Sequence, residues 1–349
     1  MYHGHNHLIR VGIAGYGIVG KRRGDCINKN PNMELVAVCD KEFNDDLKID
    51  GIKCFQDYNS LLGQDLEVLF VCLTNDIAAE VTIAALKKGI HVFCEKPPGQ
   101  NVKQIKDVIE VEKKYPKLKL KYGFNHRYHD AVKDALSILN NGELGKVIDL
   151  NAVYGKSKVI TATGPNADWR SKRVIAGGGI LLDQGIHMVD LMRLFAGEFS
   201  TIYSFISNEY WKYDVEDNAY ALMKSENGVI ALLHSSATLW RHDFKLHITC
   251  EYGSLLLRGI LSSTKSYGAE SLTVAYKSDD ELGDPKEITT RYNFDPSWEK
   301  EVFDFSESIL NDTPIASGSS NDALKTMELV YRIYCADPIW KKKYNLSYD

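Results

Sequence analysis

No two of the seven cysteines stand as a CxxC pair, and their odd number cannot close into a complete set of disulfides. That argues against a disulfide framework and against the common zinc motifs, so no metal is expected. Cys39, Cys72 and Cys94 each fall in an apolar, strand-like run, where a thiol behaves as a small hydrophobe; a reducing cytoplasm is the expected setting. Basic charge is also short. With 42 Lys and Arg against 47 Asp and Glu, the formal net charge is -5, and no general positive field exists to draw a nucleic acid. No apolar run reads as long enough to span a bilayer, so no membrane partner is expected. The N-terminus lacks the apolar core of a signal peptide; His3, His5 and His7 alternate there with small or polar residues and read as a frayed end. Internal repeats and low-complexity tracts are missing, and prolines number only nine. What remains is an ordinary globular composition, 44% hydrophobic and 26% charged. At 349 residues it exceeds what one core usually serves, which predicts two domains.

The stretch His91 to Pro98, HVFCEKPP, is the most informative one present. A short apolar run suits a buried parallel strand, and the charged pair and two prolines then stop the ladder. Lys96 therefore falls just past a strand's carboxyl end, where open α/β sheets put their ligand crevice. A solvated pair at a plain strand end is the alternative reading of Glu95 and Lys96.

The first third of the chain alternates strands and helices. Leu8 to Ala14 reads as a strand, followed at once by Gly15, Tyr16, Gly17, Ile18, Val19 and Gly20. The first glycine permits a tight turn, the second a close approach of backbone to pyrophosphate, and the third close helix packing. The helix that follows offers free N–H groups and its positive end to phosphates. Met33 to Cys39 forms a second strand ending in Asp40, about twenty residues on, where a carboxylate can accept from ribose hydroxyls. A carboxylate there repels a 2′-phosphate and favours NAD over NADP; Lys41 beside it blunts the preference and keeps NADP as the alternative. Glu67 to Leu73 ends at Thr74 and Asn75, which either cap the next helix or line the cofactor cleft. A helix over Asp76 to Lys88 closes at Gly89, and the domain is expected to end near Phe124.

Beyond residue 125 the pattern changes to longer alternating runs, including Lys146 to Tyr154, Ile202 to Ser207, Asn218 to Lys224, Val229 to Ala237, Lys245 to Cys250 and Ser271 to Tyr276. These predict an antiparallel sheet within an α+β domain over 125–349. One segment there is chemically distinct: Gly177-Gly178-Gly179-Ile180-Leu181-Leu182-Asp183-Gln184-Gly185-Ile186-His187-Met188-Val189-Asp190. Its apolar spacing predicts a largely buried helix with Asp183 and His187 on one face. A carboxylate beside an imidazole can orient it for proton transfer, or simply pin the helix.

With GYGIVG and Asp40, Glu95-Lys96-Pro97, and GGGILLDQGIHMVD in this order, the chain resembles the Gfo/Idh/MocA family of NAD(P)-dependent oxidoreductases, named for glucose-fructose oxidoreductase and inositol dehydrogenase. The resemblance implies a doubly wound parallel Rossmann domain, residues 1–124, followed by an α+β domain whose mostly antiparallel open sheet often mediates homodimers or homotetramers. It implies that Lys96 contacts the reacting hydroxyl and the nicotinamide ribose, with Glu95 and Pro97 in the same cofactor loop. It makes Asp183 and His187 the catalytic pair, His187 taking the proton that hydride removal leaves behind. Lys96 would then stabilise the developing alkoxide. Asn125, Arg127, Tyr154, Trp169, Arg170, Lys172 and Trp240, with Arg241 and His242 beside it, are candidates for substrate contact. Aromatic rings stack on sugar faces and arginine suits carboxylate or diphosphate. The expected activity is NAD-dependent hydride transfer at a hydroxyl or keto carbon of a sugar, inositol or nucleotide-sugar. A redox-neutral sugar enzyme that retains its NAD, and a non-catalytic dinucleotide- or sugar-binding regulator, are the alternatives. The joint presence of Lys96, Asp183 and His187 speaks against the regulator, which has no use for a proton acceptor.

Overall fold

Seven short runs build the first sheet: β1 (Ile9–Ala14), β2 (Met33–Cys39), β3 (Lys48–Ile49), β4 (Ile52–Phe55), β5 (Val68–Val71), β6 (His91–Glu95) and β7 (Leu120–Gly123). They are the central pieces of a computed structural model that describes residues 7–44, 48–158, 167–261, 265–279 and 283–348. His3 and His5 lie outside the described residues, whereas His7 hydrogen-bonds the Glu67 carboxylate at 2.9 Å. The strand order is β3-β4-β2-β1-β5-β6-β7, parallel throughout apart from the β3–β4 hairpin. β5 is buried along its whole length and β1 nearly so, which is why they read as continuous apolar runs. Helices Ile18–Lys29, Asn75–Lys87 and Val102–Glu112 connect successive strands. The order reverses at β1, which pairs with β2 on one side and β5 on the other; the crevice beyond the carboxyl ends of β1 and β5 is thus the switch point where such sheets bind ligands. Burial pushes the Cys39 and Cys94 thiols up to about 12, so both behave as apolar filler.

The chain divides into two compact units, and the division is not a single cut. Residues Met1–Asn125 cluster with Ser297–Leu324, and His126–Pro296 with Lys325–Asp349. The sequence reading kept 125–349 together because nothing in the local pattern marks a return. The cause of the return is burial: on helix Ser297–Leu310, Phe305 meets Phe70 and Phe93 edge-on at 6.1 and 5.6 Å, and those two rings stack at 4.7 Å.

The second unit carries β8 (Val147–Gly155), β9 (Phe199–Ser207), β10 (Asn218–Ser225), β11 (Ile230–Ser236), β12 (Asp243–Cys250), β13 (Gly253–Arg258), β14 (Glu270–Tyr276) and β15 (Glu287–Tyr292). Their order is β15-β14-β13-β12-β8-β11-β10-β9, antiparallel except between β8 and β11. β13 and β15 escaped the sequence reading, β13 because its Leu255-Leu256-Leu257 run lacks the two-residue alternation. Alternation elsewhere is regular: Ala219, Ala221 and Met223 of β10 are buried, and the residues between them are exposed. Arg173–Ala196 holds three helical segments, the first set off by bends at 177–179, and by length and composition the stretch is apolar enough to cross a membrane, contrary to the expectation that no stretch was; 83% of its apolar window is buried inside the structure, as in a core helix.

Candidate functional site

In the first unit the glycine turn has the shape that a dinucleotide needs. Gly15 sits at φ +90, and a Cβ there would lie 2.4 Å from the Cys72 carbonyl oxygen; one on Gly20 would lie 2.0 Å from the Gly15 carbonyl oxygen. A Cβ on Gly17, by contrast, would meet nothing within 4 Å, which leaves the turn open to an approaching backbone or phosphate. Gly17 is the N-cap of helix Ile18–Lys29 without any side-chain cap, and no acidic residue occupies the first turn, so the helix keeps its positive end for an anion. The Asp40 carboxylate accepts from the Tyr16 amide at 3.0 Å and the Glu42 amide at 3.2 Å, which fixes it beside the turn. The residues present therefore fit NAD. Thr74 is the N-cap of helix Asn75–Lys87, but its hydroxyl makes no cap bond, so capping does not account for it; Asn75 is buried.

Glu95 is held from below. The guanidinium of Arg23, 0% exposed, donates to Glu95 at 2.6 Å and to Glu301 at 2.7 Å, and packs over the Phe93 and Trp298 rings at 4.4 and 4.2 Å. Burial pushes the Glu301 carboxyl up to about 7, against the pull of Arg23 and Lys121, while Glu95 adds a further push upward. This network orients the residue just before Lys96, which is itself half-buried and joined to Pro97 by a cis peptide bond. Arg23 and Glu301 lie 278 residues apart, and no local pattern could have paired them.

In the second unit the GGGILLDQGIHMVD segment is helical but not uniformly so. Leu181–Gly185 forms a π-helical turn, and an ordinary helix runs from Ile186 to Ala196. Glycine makes the turn's close packing possible: a Cβ on Gly179 would lie 2.1 Å from the Glu216 carbonyl oxygen, and one on Gly185 2.5 Å from Ser235 Oγ. Glu216, fully buried, accepts from the Gly179 and Leu181 amides at 2.8 and 3.0 Å and from the Tyr334 hydroxyl at 2.6 Å. Burial raises its carboxyl above the usual range. The Asp183 carboxylate sits between two cations, Arg170 Nε at 3.1 Å and Lys156 Nζ at 3.5 Å. His187 is buried and stacks on the His126 ring at 3.8 Å between centroids, 12° apart in plane. His126 Nε2 is 3.1 Å from the Tyr154 hydroxyl, and the Tyr154 ring lies 5.3 Å from that of Tyr267.

Residues 9–124 match the oxidoreductase family with an NAD-binding Rossmann fold, and residues 132–256 match the C-terminal domain of Gfo/Idh/MocA proteins. The chain belongs to the Gfo/Idh/MocA family. Family relatives include the uncharacterized oxidoreductase YrbE of Bacillus subtilis, 25% identical over 86% of each chain. D-glucoside 3-dehydrogenase of Escherichia coli is 28% identical over 66% of this chain and 71% of its own. Among solved structures of the same fold, levoglucosan dehydrogenase in complex with NADH and levoglucosan superposes with a TM-score of 0.84 at 20% identity, covering 96% of this chain and 98% of that one.

The substrate candidates divide. Arg170, whose guanidinium lies 4.4 Å from the Trp169 ring centroid, and Tyr154 gather around Asp183 and His126 in the second unit. Arg127 does not reach out: it is buried in a two-pronged pair with Asp190 at 2.6 and 2.7 Å, a strut that Thr326 shares. Asn125 is likewise buried and donates to Ser297 Oγ at 3.0 Å. Trp240 is 63% exposed against Tyr210, and Lys172 is exposed at the start of helix Arg173–Ala176. Lys156, Glu216, His126 and Tyr267 were missed. Lys156 alone carried a local signal, a lysine just past the end of an alternating strand.

Proposed function

We propose that the protein is an NAD-dependent dehydrogenase of sugar or inositol hydroxyls. The observation that carries it is the open glycine turn at Gly17 on an uncapped helix, with Asp40 fixed beside it, in a family whose relatives act on such compounds by name: D-glucoside 3-dehydrogenase and myo-inositol 2-dehydrogenase. When bound, NAD supplies the acceptor for the carbinol hydride. The chain's own work is to move the remaining proton and hold the oxygen. Lys96 neutralises the developing alkoxide, and His187, its ring fixed by the stack on His126, takes the hydroxyl proton. Asp183 holds Lys156 and Arg170 in place as donors to substrate hydroxyls. Trp169 offers a ring for the sugar face, whereas Tyr154, buried against His126, Phe244 and Tyr267, supports the site from behind.

The exposed face of the second sheet carries Tyr203, Phe205, Tyr220, Leu222, Ile230 and Leu232 on adjoining strands β9 to β11, with Phe205 80% exposed. So large an apolar patch fits a second copy of the chain, as a homodimer or homotetramer. Seven free cysteines suit a cytoplasmic setting.

The test is NADH formation from NAD across neutral and acidic sugars, nucleotide-sugars and inositols. Lys96→Ala and His187→Ala should each lower turnover by about 10²–10⁴-fold with NADH affinity kept. Wild-type rates in both variants reject the mechanism, and turnover without net NADH points to the redox-neutral alternative.

A further inference from the structure

The second unit also contains a cleft of about 500 Å³, set where β13 ends and β14 begins, to which the substrate candidates Arg241 and His242 contribute. Its lining includes Arg241, Arg258 and Lys265 against a single carboxylate, Asp243, on a chain whose formal net charge is -5. Among the described residues, no ion pair is made by any of the three cations. One of them is set against its own charge. Arg258 lies directly across from Lys245 in the antiparallel β12–β13 pair, and like charges so placed repel. A set of unneutralised cations around a concavity is explained by an anion that enters it.

The cleft shares a wall with the residues around Asp183. Tyr267 lines it, and its hydroxyl accepts from Gln184 Nε2 at 2.8 Å, the side chain next to Asp183 in the π turn. The Tyr267 ring lies 5.3 Å from both Tyr154 and His242. His242 is tied at both nitrogens, to Ser157 at 3.0 Å and Ser266 at 2.7 Å, which fixes the cleft's rim to the end of β8. At Gly259 the lining backbone passes close to the segment before β14, since a Cβ there would lie 2.1 Å from the Ala269 carbonyl oxygen.

We propose that this cleft is a subsite for an anionic substituent, carboxylate or phosphate, on the sugar whose hydroxyl is oxidised. The assignment rests on the sugar-dehydrogenase reading and narrows its substrate class to sugars that carry an acidic group. Because Arg241, Arg258 and Lys265 are exposed, their contribution is collective and weakens as salt screens it.

Titration calorimetry on the full chain saturated with NADH tests it, with D-glucose, D-glucuronate, D-glucose 6-phosphate and UDP-glucose as probes. At low salt at least one anionic probe should bind about tenfold more tightly than glucose, with the advantage shrinking at high salt. Whether glucuronate or a phosphorylated probe gains more distinguishes carboxylate from phosphate. Arg241→Ala, Arg258→Ala and Lys265→Ala combined should abolish the advantage, while Arg241→Lys, Arg258→Lys and Lys265→Arg combined should retain most of it. Melting temperature and NADH affinity check that both variants are folded. No preference for any anionic probe in the wild type, or an undiminished preference in the triple alanine variant, overturns the subsite. Anion preference in binding, with NADH formed from none of a panel of neutral and acidic sugars and inositols supplied with NAD, leaves the subsite standing and counts against the dehydrogenase reading instead.

Discussion

Glu301 shows how much a single buried side chain determines near Lys96. Its carboxyl keeps its proton up to about 7 in the folded chain, whereas an unfolded chain releases it near 4.5. Across that interval the folded state binds more protons than the unfolded one, so stability falls as pH rises, by at most about 1.4 kcal/mol per pH unit, and levels off above it. Glu301→Gln removes the titration. The gap in melting temperature between the variant and the wild type should widen in the variant's favour between pH 5 and 7; parallel melting curves across that range would show that Glu301 is ionised throughout. At this scale the sequence was readable wherever the role was local. Gly15, Gly17, Gly20 and Asp40 declare themselves by spacing; in the structure Gly15 and Gly20 have no room for a Cβ, Gly17 is open, and Asp40 accepts from the Tyr16 amide. Arg23 and Glu301 do not, because an ion pair between residues so far apart leaves no mark on its neighbours. Arg127 misled for the same reason: an arginine beside asparagine and histidine looks available until Asp190 is seen to hold it.

Among the elements, the π turn Leu181–Gly185 is the one that reasoning from ordinary helix spacing could not supply. The apolar pattern correctly marked a buried helix over this stretch, but periodicity cannot say that one turn widens to press its backbone against Glu216 and Ser235. Gly179, two residues ahead of the turn, is the point of closest approach to Glu216. Gly179→Ala would push a methyl group into the Glu216 backbone, which no rotamer change can relieve. Overpacking of this kind costs about 1–3 kcal/mol, or a melting temperature lower by about 2–10 °C in a chain of this size. Differential scanning calorimetry reads the change directly, and an unaltered transition would mean that the turn can move aside. Strands followed a parallel logic. β10 and β12 alternate and were found, while β13, with its three consecutive leucines, was not.

For the whole molecule, two kinds of sheet and the family were legible because each rests on patterns within a few dozen residues; the interleaving of the chain was not. Helix Ser297–Leu310 completes the first unit with Phe305 and Glu301, so a chain ending at Pro296 loses the partner of a fully buried arginine together with part of an aromatic core. Such a truncation should lose NADH binding and the near-ultraviolet circular dichroism of packed aromatics; retained NADH binding would show the first unit to be self-sufficient without its returning helix. The same return has a consequence in time. At a synthesis rate of about 5–20 residues per second, roughly 10–30 s separate the emergence of Asn125 from that of Ser297. Throughout that interval the nascent nucleotide-binding half waits with Phe70 and Phe93 unroofed and Arg23 one carboxylate short. For that interval the half carries exposed aromatic surface of the kind that aggregates or recruits chaperones, although its first residues left the ribosome long before its last arrive.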